Sequence, residues 1–95
     1  MVSDDVRDLV GRKHTIEILA LLITSGRLRY SRIENTVDTS SDMVTDALQL
    51  LCKYGLAERI EENQKNVEYK ATNTGREFVD AVEELEDILD NSTDN

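Results

Sequence analysis

The hydrophobic periodicity of this sequence changes from helical to alternating and back to helical, and few folds accommodate that order. Up to residue 55, periodic apolar residues and capping patterns mark four helical segments. Residues 56–61 and 67–72 alternate with a period of two instead, and the polar bridge 63–66 between them predicts a β-hairpin. A further helical segment begins at residue 74. The predicted order is therefore four helices, a hairpin and a final helix.

Local signals predict where these helices begin and end. Two capping-box patterns predict helix starts at Ser31 and Thr74. The polar run 38–42 offers N-cap residues for the fourth helix, which should end at Gly55 with Leu56 packing back on it in a Schellman motif. The inward face of the second helix is expected to hold Ile16, Leu19, Ala20, Leu22 and Ile23.

This order of elements is that of a mainly α fold with a small β-hairpin, the winged helix-turn-helix. A length of 95 residues suits one compact domain, so we expect residues 1–95 to form a single winged-helix domain. Its winged-helix core should span residues 12–72. Residues 74–90 should form a C-terminal dimerisation helix.

Composition argues against several classes of protein. The single cysteine cannot form an internal disulfide, no apolar run approaches the roughly 20 residues that span a bilayer, and the first residues lack the features of a signal peptide. We therefore expect a cytoplasmic protein with no membrane partner. Because no nucleophile–base arrangement, phosphate-binding glycine loop or metal-ligand spacing is present, we expect neither catalysis nor a cofactor or metal. His14 and Cys52 are interpreted as packing groups, with a thiol switch as the alternative for Cys52.

Charge is distributed unevenly along the chain. The net charge of −9 argues against DNA binding through bulk positive charge. Residues 73–95, however, hold eight acids and one base, so most of the excess negative charge lies in the last helical segment. Residues 27–32 hold three arginines and no acid.

Several short motifs, in this order and spacing, resemble those of the HxlR-type winged-helix transcriptional regulators, which are relatives of the MarR and ArsR groups. The resemblance covers about residues 9–90 and rests on Gly11-Arg12-Lys13-His14-Thr15-Ile16, Leu28-Arg29-Tyr30-Ser31-Arg32-Ile33, Ser40 with Val44, Leu48 and Leu51, Tyr54-Gly55-Leu56-Ala57, Val67-Glu68-Tyr69 and Thr72-Asn73-Thr74-Gly75. Two departures stand out. His14 takes the place of the family's usual tryptophan, and Asp42 and Asp46 stand where the family favours basic or neutral residues.

The resemblance implies that residues 40–54 form a recognition helix that enters the major groove of DNA. The outward side chains could bond base edges, Gln to adenine, Asp to a cytosine amino group, and Ser or Thr to several bases. Arginines beside the preceding helix would bind phosphate, and the wing tip would reach a groove or flanking phosphate. The implied DNA-binding residues are Arg29, Arg32, Ser40, Ser41, Asp42, Thr45, Gln49, Gln64, Lys65 and Asn66.

Simpler interpretations of these residues stay open. The outward face of the recognition helix resembles any solvated helix face, and Asp42 also suits the positive end of the helix dipole. The arginines could pair with nearby acids such as Glu34, a contact worth about 0–1 kcal/mol. The wing tip resembles an ordinary polar hairpin.

An apolar seam runs along the acidic C-terminal helix. It consists of Phe78, Val82, Leu85 and Leu89, and either packs on its own domain or pairs with a second copy, together with Val6 and Val10. We favour an isologous homodimer, in which two recognition helices roughly 34–36 Å apart would bind a pseudo-palindromic operator. The sequence specifies no small-molecule effector, although one could lodge between the dimer helices and the DNA-binding core.

The acidic composition, with seven arginines and four lysines, resembles that of proteins from salt-in halophiles and predicts a halophilic archaeal source. In molar salt the Debye length falls to about 3 Å, so repulsion between an acidic helix and DNA acts only at contact. We therefore predict that DNA affinity depends weakly on salt. The alternative is a winged-helix protein-interaction module with an acidic face, in which Asp42 and Asp46 repel DNA.

Overall fold

The structure, a computed structural model, describes residues 4–63 and 65–93. In these ranges the predicted order of helices and hairpin is confirmed, with one short extra strand before the third helix. The elements are α1 (Asp4–Val10), α2 (Lys13–Ser25), β1 (Leu28–Arg29), α3 (Tyr30–Thr36), α4 (Ser41–Lys53), β2 (Ala57–Asn63), β3 (Asn66–Ala71) and α5 (Asn73–Thr93). The protein is mainly helical with a small antiparallel sheet, as the sequence predicts.

The sheet places β3 between β1 and β2. In the hairpin, Ala57 pairs with Ala71, and the register shifts near the tip, between Glu61 and Asn63. Strand β1 pairs Leu28 with Tyr69 on the far side of β3. It contains two residues, which is too few for an alternating pattern, so only the tertiary pairing reveals it.

The hydrophobic core lies between α2, α3 and α4 and is closed by the sheet and the start of α5. Its completely buried members are Ile18, Leu19 and Leu22 of α2, Ile33 of α3, and Val44, Leu48 and Leu51 of α4. The predicted face of α2 was wrong in part, since Ile18 is fully buried while Ile16 and Ile23 are half-buried. Helix α2 contacts α1, α4, α5 and β3, so more than one of its faces is covered.

The ends of α4 follow the predicted pattern. Ser40 caps the start, because its side chain accepts a hydrogen bond from the amide of Met43 at 3.3 Å. At the other end the amide of Leu56 bonds the carbonyl of Leu51 at 2.9 Å, and the amide of Gly55 bonds that of Cys52 at 3.1 Å. These two bonds are the Schellman motif, and Gly55 takes the positive φ of 70° that the motif requires.

Both capping-box predictions were wrong. Helix α3 begins at Tyr30, so Ser31 lies inside it, and Glu34 accepts a hydrogen bond from Ser41 instead of closing a box. Helix α5 begins at Asn73, because Thr72 caps it by accepting the amide of Gly75 at 3.0 Å. At α3 a bond between two helices replaced the predicted box, whereas at α5 a local cap two residues earlier did so.

In the described part of the chain, no helix combines the length and apolarity needed to cross a bilayer.

Candidate nucleic-acid interface

Helix α4 has one buried face and one polar face. Its buried face packs in the core through Val44, Ala47, Leu48 and Leu51. The side chains on the opposite face are all exposed, as the sequence predicts, and are Ser41, Asp42, Thr45, Asp46 and Gln49. The outward face of α4 is therefore a polar, exposed surface, and its contact with DNA bases stays a prediction.

Two of these side chains already have partners in the protein. Ser41 donates its hydroxyl hydrogen bond to Glu34, and Thr45 shares a hydrogen bond of 2.9 Å with the hydroxyl of Tyr30. Among the described residues, Asp42, Asp46 and Gln49 have no hydrogen-bond or ion-pair partner. The groups on this face that need no rearrangement to meet a ligand are thus two carboxylates and one amide.

Beside α3, three arginines surround a cleft of about 510 Å³ that also contains Glu68. Arg27 is held by hydrogen bonds to Glu62 and Glu68. Arg29 is 68% exposed and its Nε lies 3.8 Å from Glu68. Arg32 is exposed, and its side chain forms no ion pair within residues 4–63 and 65–93. We call this the arginine cleft.

The acid that neighbours the arginines was predicted wrongly. The sequence suggests Glu34 as their partner, but the carboxylate of Glu34 takes the hydroxyl of Ser41. Glu68 of β3 takes that place, because β1 pairs Arg29 directly opposite Glu68. This contact spans 39 positions of the sequence and needs the sheet to form, so no local pattern indicates it.

A second cavity, of about 430 Å³, lies between the start of α3 and the hairpin. Its basic lining residues are Arg29, Arg59 and Lys65, and Asn66, Tyr30 and Tyr69 also line it. Arg59 is not among the residues predicted from the sequence. Its position in β2 opposite Tyr69, on the same face of the hairpin, follows from the strand register that the structure shows. Hydrogen bonds with Glu61 and then Tyr69 raise the pKa of Arg59, which stays cationic. We call this the wing cavity.

The wing tip is only partly available. The side chain of Lys65 is exposed, and within the described residues it has no partner. Asn66 is half-buried and donates a hydrogen bond to Glu62 at 3.0 Å. Gln64, the third predicted contact residue here, lies outside the described residues.

Tyr30 connects the wing cavity to the recognition helix. Its side chain lines the cavity, while its hydroxyl donates to the carbonyl of Ser41 at 3.2 Å and meets Thr45. The cationic cavity and the N-terminal half of α4 therefore form one continuous surface. The sequence predicts no role for Tyr30, since a lone tyrosine before a helix has no distinctive pattern.

The predicted dimer seam divides into a covered part and an exposed part. Phe78 packs against the protein's own core and Val82 is half-buried, while Val79, which the seam omitted, is 6% exposed. Beyond them Leu85, Ile88 and Leu89 are 54%, 54% and 66% exposed, and Val6 and Val10 of α1 are 40% and 41% exposed. Phe78 is therefore partly covered by its own domain, and its place in a dimer interface stays a prediction, whereas the second half of α5 offers an exposed apolar stripe that includes Ile88.

The side chains of His14 and Cys52 are both half-buried. Among the described residues no group of three His, Cys, Asp or Glu side chains could hold a metal ion. Nδ1 of His14 lies 3.6 Å from Glu17, beyond hydrogen-bonding distance. Burial raises the pKa of the half-buried Cys52 thiol, which disfavours the reactive thiolate at neutral pH.

Both the sequence and the structure of this chain are similar to those of known proteins. A sequence model described as HxlR-like helix-turn-helix matches residues 9–95. An uncharacterized protein of Methanocaldococcus jannaschii is 31% identical over 91 residues, covering 92% of this chain and 75% of the relative. The structure of ytfH from Salmonella typhimurium is 27% identical with a TM-score of 0.73, over 90% of this chain and 78% of that one.

A structure with bound DNA is also similar. The crystal structure of a MarR mutant from E. coli complexed with operator DNA has a TM-score of 0.66, over 73% of this chain and 51% of the MarR chain. At 15% identity, this likeness shows the fold alone.

Proposed function

Since this chain belongs to the HxlR-like helix-turn-helix family, we propose that it acts as a homodimer on a pseudo-palindromic operator. Members of this family are winged-helix transcriptional regulators that bind DNA and are not enzymes. Helix α4 would enter the major groove. The arginine cleft and the wing cavity would hold the phosphate backbone beside it. Each half of the operator would be bound by one protomer.

The observation that carries this proposal is the position of the cationic groups. On a chain with a net charge of −9, two cavities beside the start of α3 are lined by the cationic side chains of Arg29, Arg32, Arg59 and Lys65. Tyr30, which lines the wing cavity, bonds residues of α4 through its hydroxyl. The MarR mutant with a similar fold is complexed with operator DNA in its crystal structure, which supports this use of the fold. Guanidinium groups can pair with phosphate through two parallel hydrogen bonds, so a few correctly placed arginines suffice for backbone contact.

The homodimer is supported by the exposed apolar stripe of α5. This helix of 21 residues is about 31 Å long, and its first half packs on the core through Phe78 and Val79. Its second half exposes Leu85, Ile88 and Leu89 at spacings of three and one, which places all three on one side of the helix. A second copy of the same stripe would cover them isologously.

The DNA proposal is tested by selection from a pool of random duplex DNA with the full chain. We expect the enriched sequences to contain inverted repeats whose half-sites are about 10 base pairs, or a multiple, apart. In fluorescence anisotropy on the selected duplex, Arg32→Ala should weaken binding about tenfold and reduce the salt slope by about two, since each protomer of the dimer loses one phosphate contact.

Arg76→Ala is the matched control. Arg76 is also an exposed arginine, but it lies on α5 and lines neither cavity, so the variant has the same charge change away from the proposed interface. We expect its affinity to stay within twofold of the wild type. Equal losses for Arg32→Ala and Arg76→Ala would show that only net charge matters and would contradict the assigned surface.

The dimer is tested by light scattering coupled to size-exclusion chromatography. The wild type should elute with twice the chain mass of 10.8 kDa, whereas the double variant Leu85→Ser and Leu89→Ser should be monomeric. Met43→Ser removes an apolar side chain of α4 that is 42% exposed and should leave the dimer intact. A monomeric wild type at 100 µM would contradict the proposal.

A second function, a protein-interaction module, is favoured by one observation. Asp42 and Asp46 on α4 are exposed and have no partner among the described residues. If Asp42→Ala and Asp46→Ala strengthened DNA binding at low salt while Arg32→Ala had no effect at any salt, the acidic face would be the functional surface. Loss of DNA binding in Arg32→Ala supports the regulator instead.

A further inference from the structure

Glu68 occupies an unusual position for an acidic residue, because it lies inside the arginine cleft. One carboxylate oxygen accepts a hydrogen bond from Nε of Arg27, and the other lies 3.8 Å from Nε of Arg29. The Glu68 side chain is 18% exposed, while those of Arg27 and Arg29 are 42% and 68% exposed. The carboxylate is thus enclosed and the guanidinium groups reach past it towards solvent.

We propose that Glu68 is a built-in competitor for the phosphate group that the arginine cleft would bind, and that it limits the DNA affinity of the protein by partly neutralising Arg29. This inference rests on the proposed function. A carboxylate and a phosphate present similar oxygen acceptors to a guanidinium group, so Arg29 can exchange one for the other.

The two arginines that Glu68 contacts are held to different degrees. Arg27 bonds both Glu62 of β2 and Glu68 of β3, so its side chain is held by both strands of the hairpin. Arg29 faces Glu68 at a distance beyond a hydrogen bond and is mostly exposed. When a phosphate group binds, Arg29 therefore exchanges its ion pair with Glu68 for one with the phosphate. The ion pair between Arg27 and Glu68 remains. Arg32, which has no ion-pair partner among the described residues, can meet the same phosphate without exchange.

The exchange has a measurable cost. Arg29 must give up an exposed ion pair, which is worth up to about 1 kcal/mol and corresponds to about a fivefold loss of affinity. Arg29 also contributes little to counterion release while its charge is matched by an internal carboxylate. Freeing it should steepen the plot of log affinity against log salt by about 0.9 for each protomer, the increment for one phosphate contact on duplex DNA.

The experiment compares Glu68→Gln with Glu62→Gln, both in the full chain, on random-sequence duplex DNA from 0.05 to 1 M KCl. The two variants remove the same charge from neighbouring strands, and both acids bond Arg27, but only Glu68 faces Arg29. At 0.1 M KCl we expect Glu68→Gln to bind more tightly by about fivefold for each protomer in contact with DNA, with a slope steeper by about 0.9 for each protomer. Glu62→Gln should stay within twofold with an unchanged slope.

Further variants separate displacement at Arg29 from other effects. Adding Arg29→Gln to Glu68→Gln should abolish the gain. If thermal unfolding shows that Glu68→Gln is not folded, Glu68→Asp replaces it, because the shorter side chain withdraws from Arg29 and should give a smaller gain of the same sign.

The outcomes distinguish this inference from the proposed function. Equal gains for Glu68→Gln and Glu62→Gln, or no gain for Glu68→Gln in a protein that binds DNA, would overturn the role of Glu68 alone. Absence of DNA binding in the wild type and in every variant at all salt concentrations would overturn the proposed function and this inference together.

Discussion

Replacing Gly75 with alanine tests the packing of α5 on the turn that ends the recognition helix. In a helix interior, alanine is more favourable than glycine by about 1 kcal/mol, so helix propensity alone predicts that Gly75→Ala stabilises the protein. The structure predicts the opposite sign. A Cβ atom at residue 75 would lie 2.1 Å from the carbonyl oxygen of Leu56 and 3.1 Å from Cδ1 of Leu19.

The magnitude follows from how far the backbone would have to move. Ordinary contacts of a Cβ atom begin at 3.4 Å, so α5 and Leu56 would have to separate by about 1.3 Å. The carbonyl of Leu56 is held, since it accepts a hydrogen bond of 3.0 Å from the amide of Thr72. Overpacking of this kind costs about 1–3 kcal/mol or more. After the gain in helix propensity, we expect the free energy of unfolding to fall by about 2 kcal/mol.

Thermal unfolding followed by circular dichroism measures this effect. For a domain of this size, a loss of about 2 kcal/mol lowers the unfolding temperature by about 8–16 °C. All samples need the same protein concentration, because association would stabilise the folded state. Thr74→Ala is the matched control, as Thr74 is exposed in the same helical turn, and its change should stay within about 0.5 kcal/mol. An increase in the unfolding temperature of Gly75→Ala would refute the reasoning.

Three further predictions concern a cap, a thiol and the salt response. Thr72→Val should lower the free energy of unfolding by about 1 kcal/mol in urea titrations, because Thr72 caps α5 and donates to the carbonyl of Gly55 at 2.6 Å. Thr72→Ser should retain most of the stability, and equal stability of the valine variant would contradict the cap. Burial raises the pKa of Cys52, so iodoacetamide at pH 8 should react more slowly with the Cys52 thiol than with the thiol of glutathione. Unfolding the protein in urea should make the two alkylation rates equal. Operator affinity should fall only weakly between 0.1 and 1 M KCl, and a steep loss in anisotropy titrations would contradict the predicted salt response.

The candidate site could be predicted in part from the sequence. Arginines concentrated in residues 27–32, and an amphipathic segment preceded by N-cap residues, already indicate a cationic patch beside a recognition helix. The contributions of Arg59, Tyr30 and Glu68 could not be predicted in this way. Each acts through a neighbour that is distant in the sequence, such as Tyr69 opposite Arg59 or Thr45 beside Tyr30.

In the predicted dimer seam of α5, too, the sequence predicts one part of the result and only the structure shows the other. The spacing of Phe78, Val82, Leu85 and Leu89 correctly predicts an amphipathic α5, because helical periodicity is a property of the local sequence. It does not predict which part the domain itself covers. The structure covers Phe78 and leaves Leu85 and Leu89 exposed, since the core ends near the middle of the helix.

The order of helices and strands was determined by the sequence alone, since the spacing of apolar residues and the glycine at the end of α4 act over a few neighbouring positions. The tertiary structure alone decided the third strand, the bond between Glu34 and Ser41, and the acid that faces Arg29. These features depend on groups brought together from distant parts of the chain. A hydrogen bond or ion pair between such groups can outweigh a local preference worth about 1 kcal/mol.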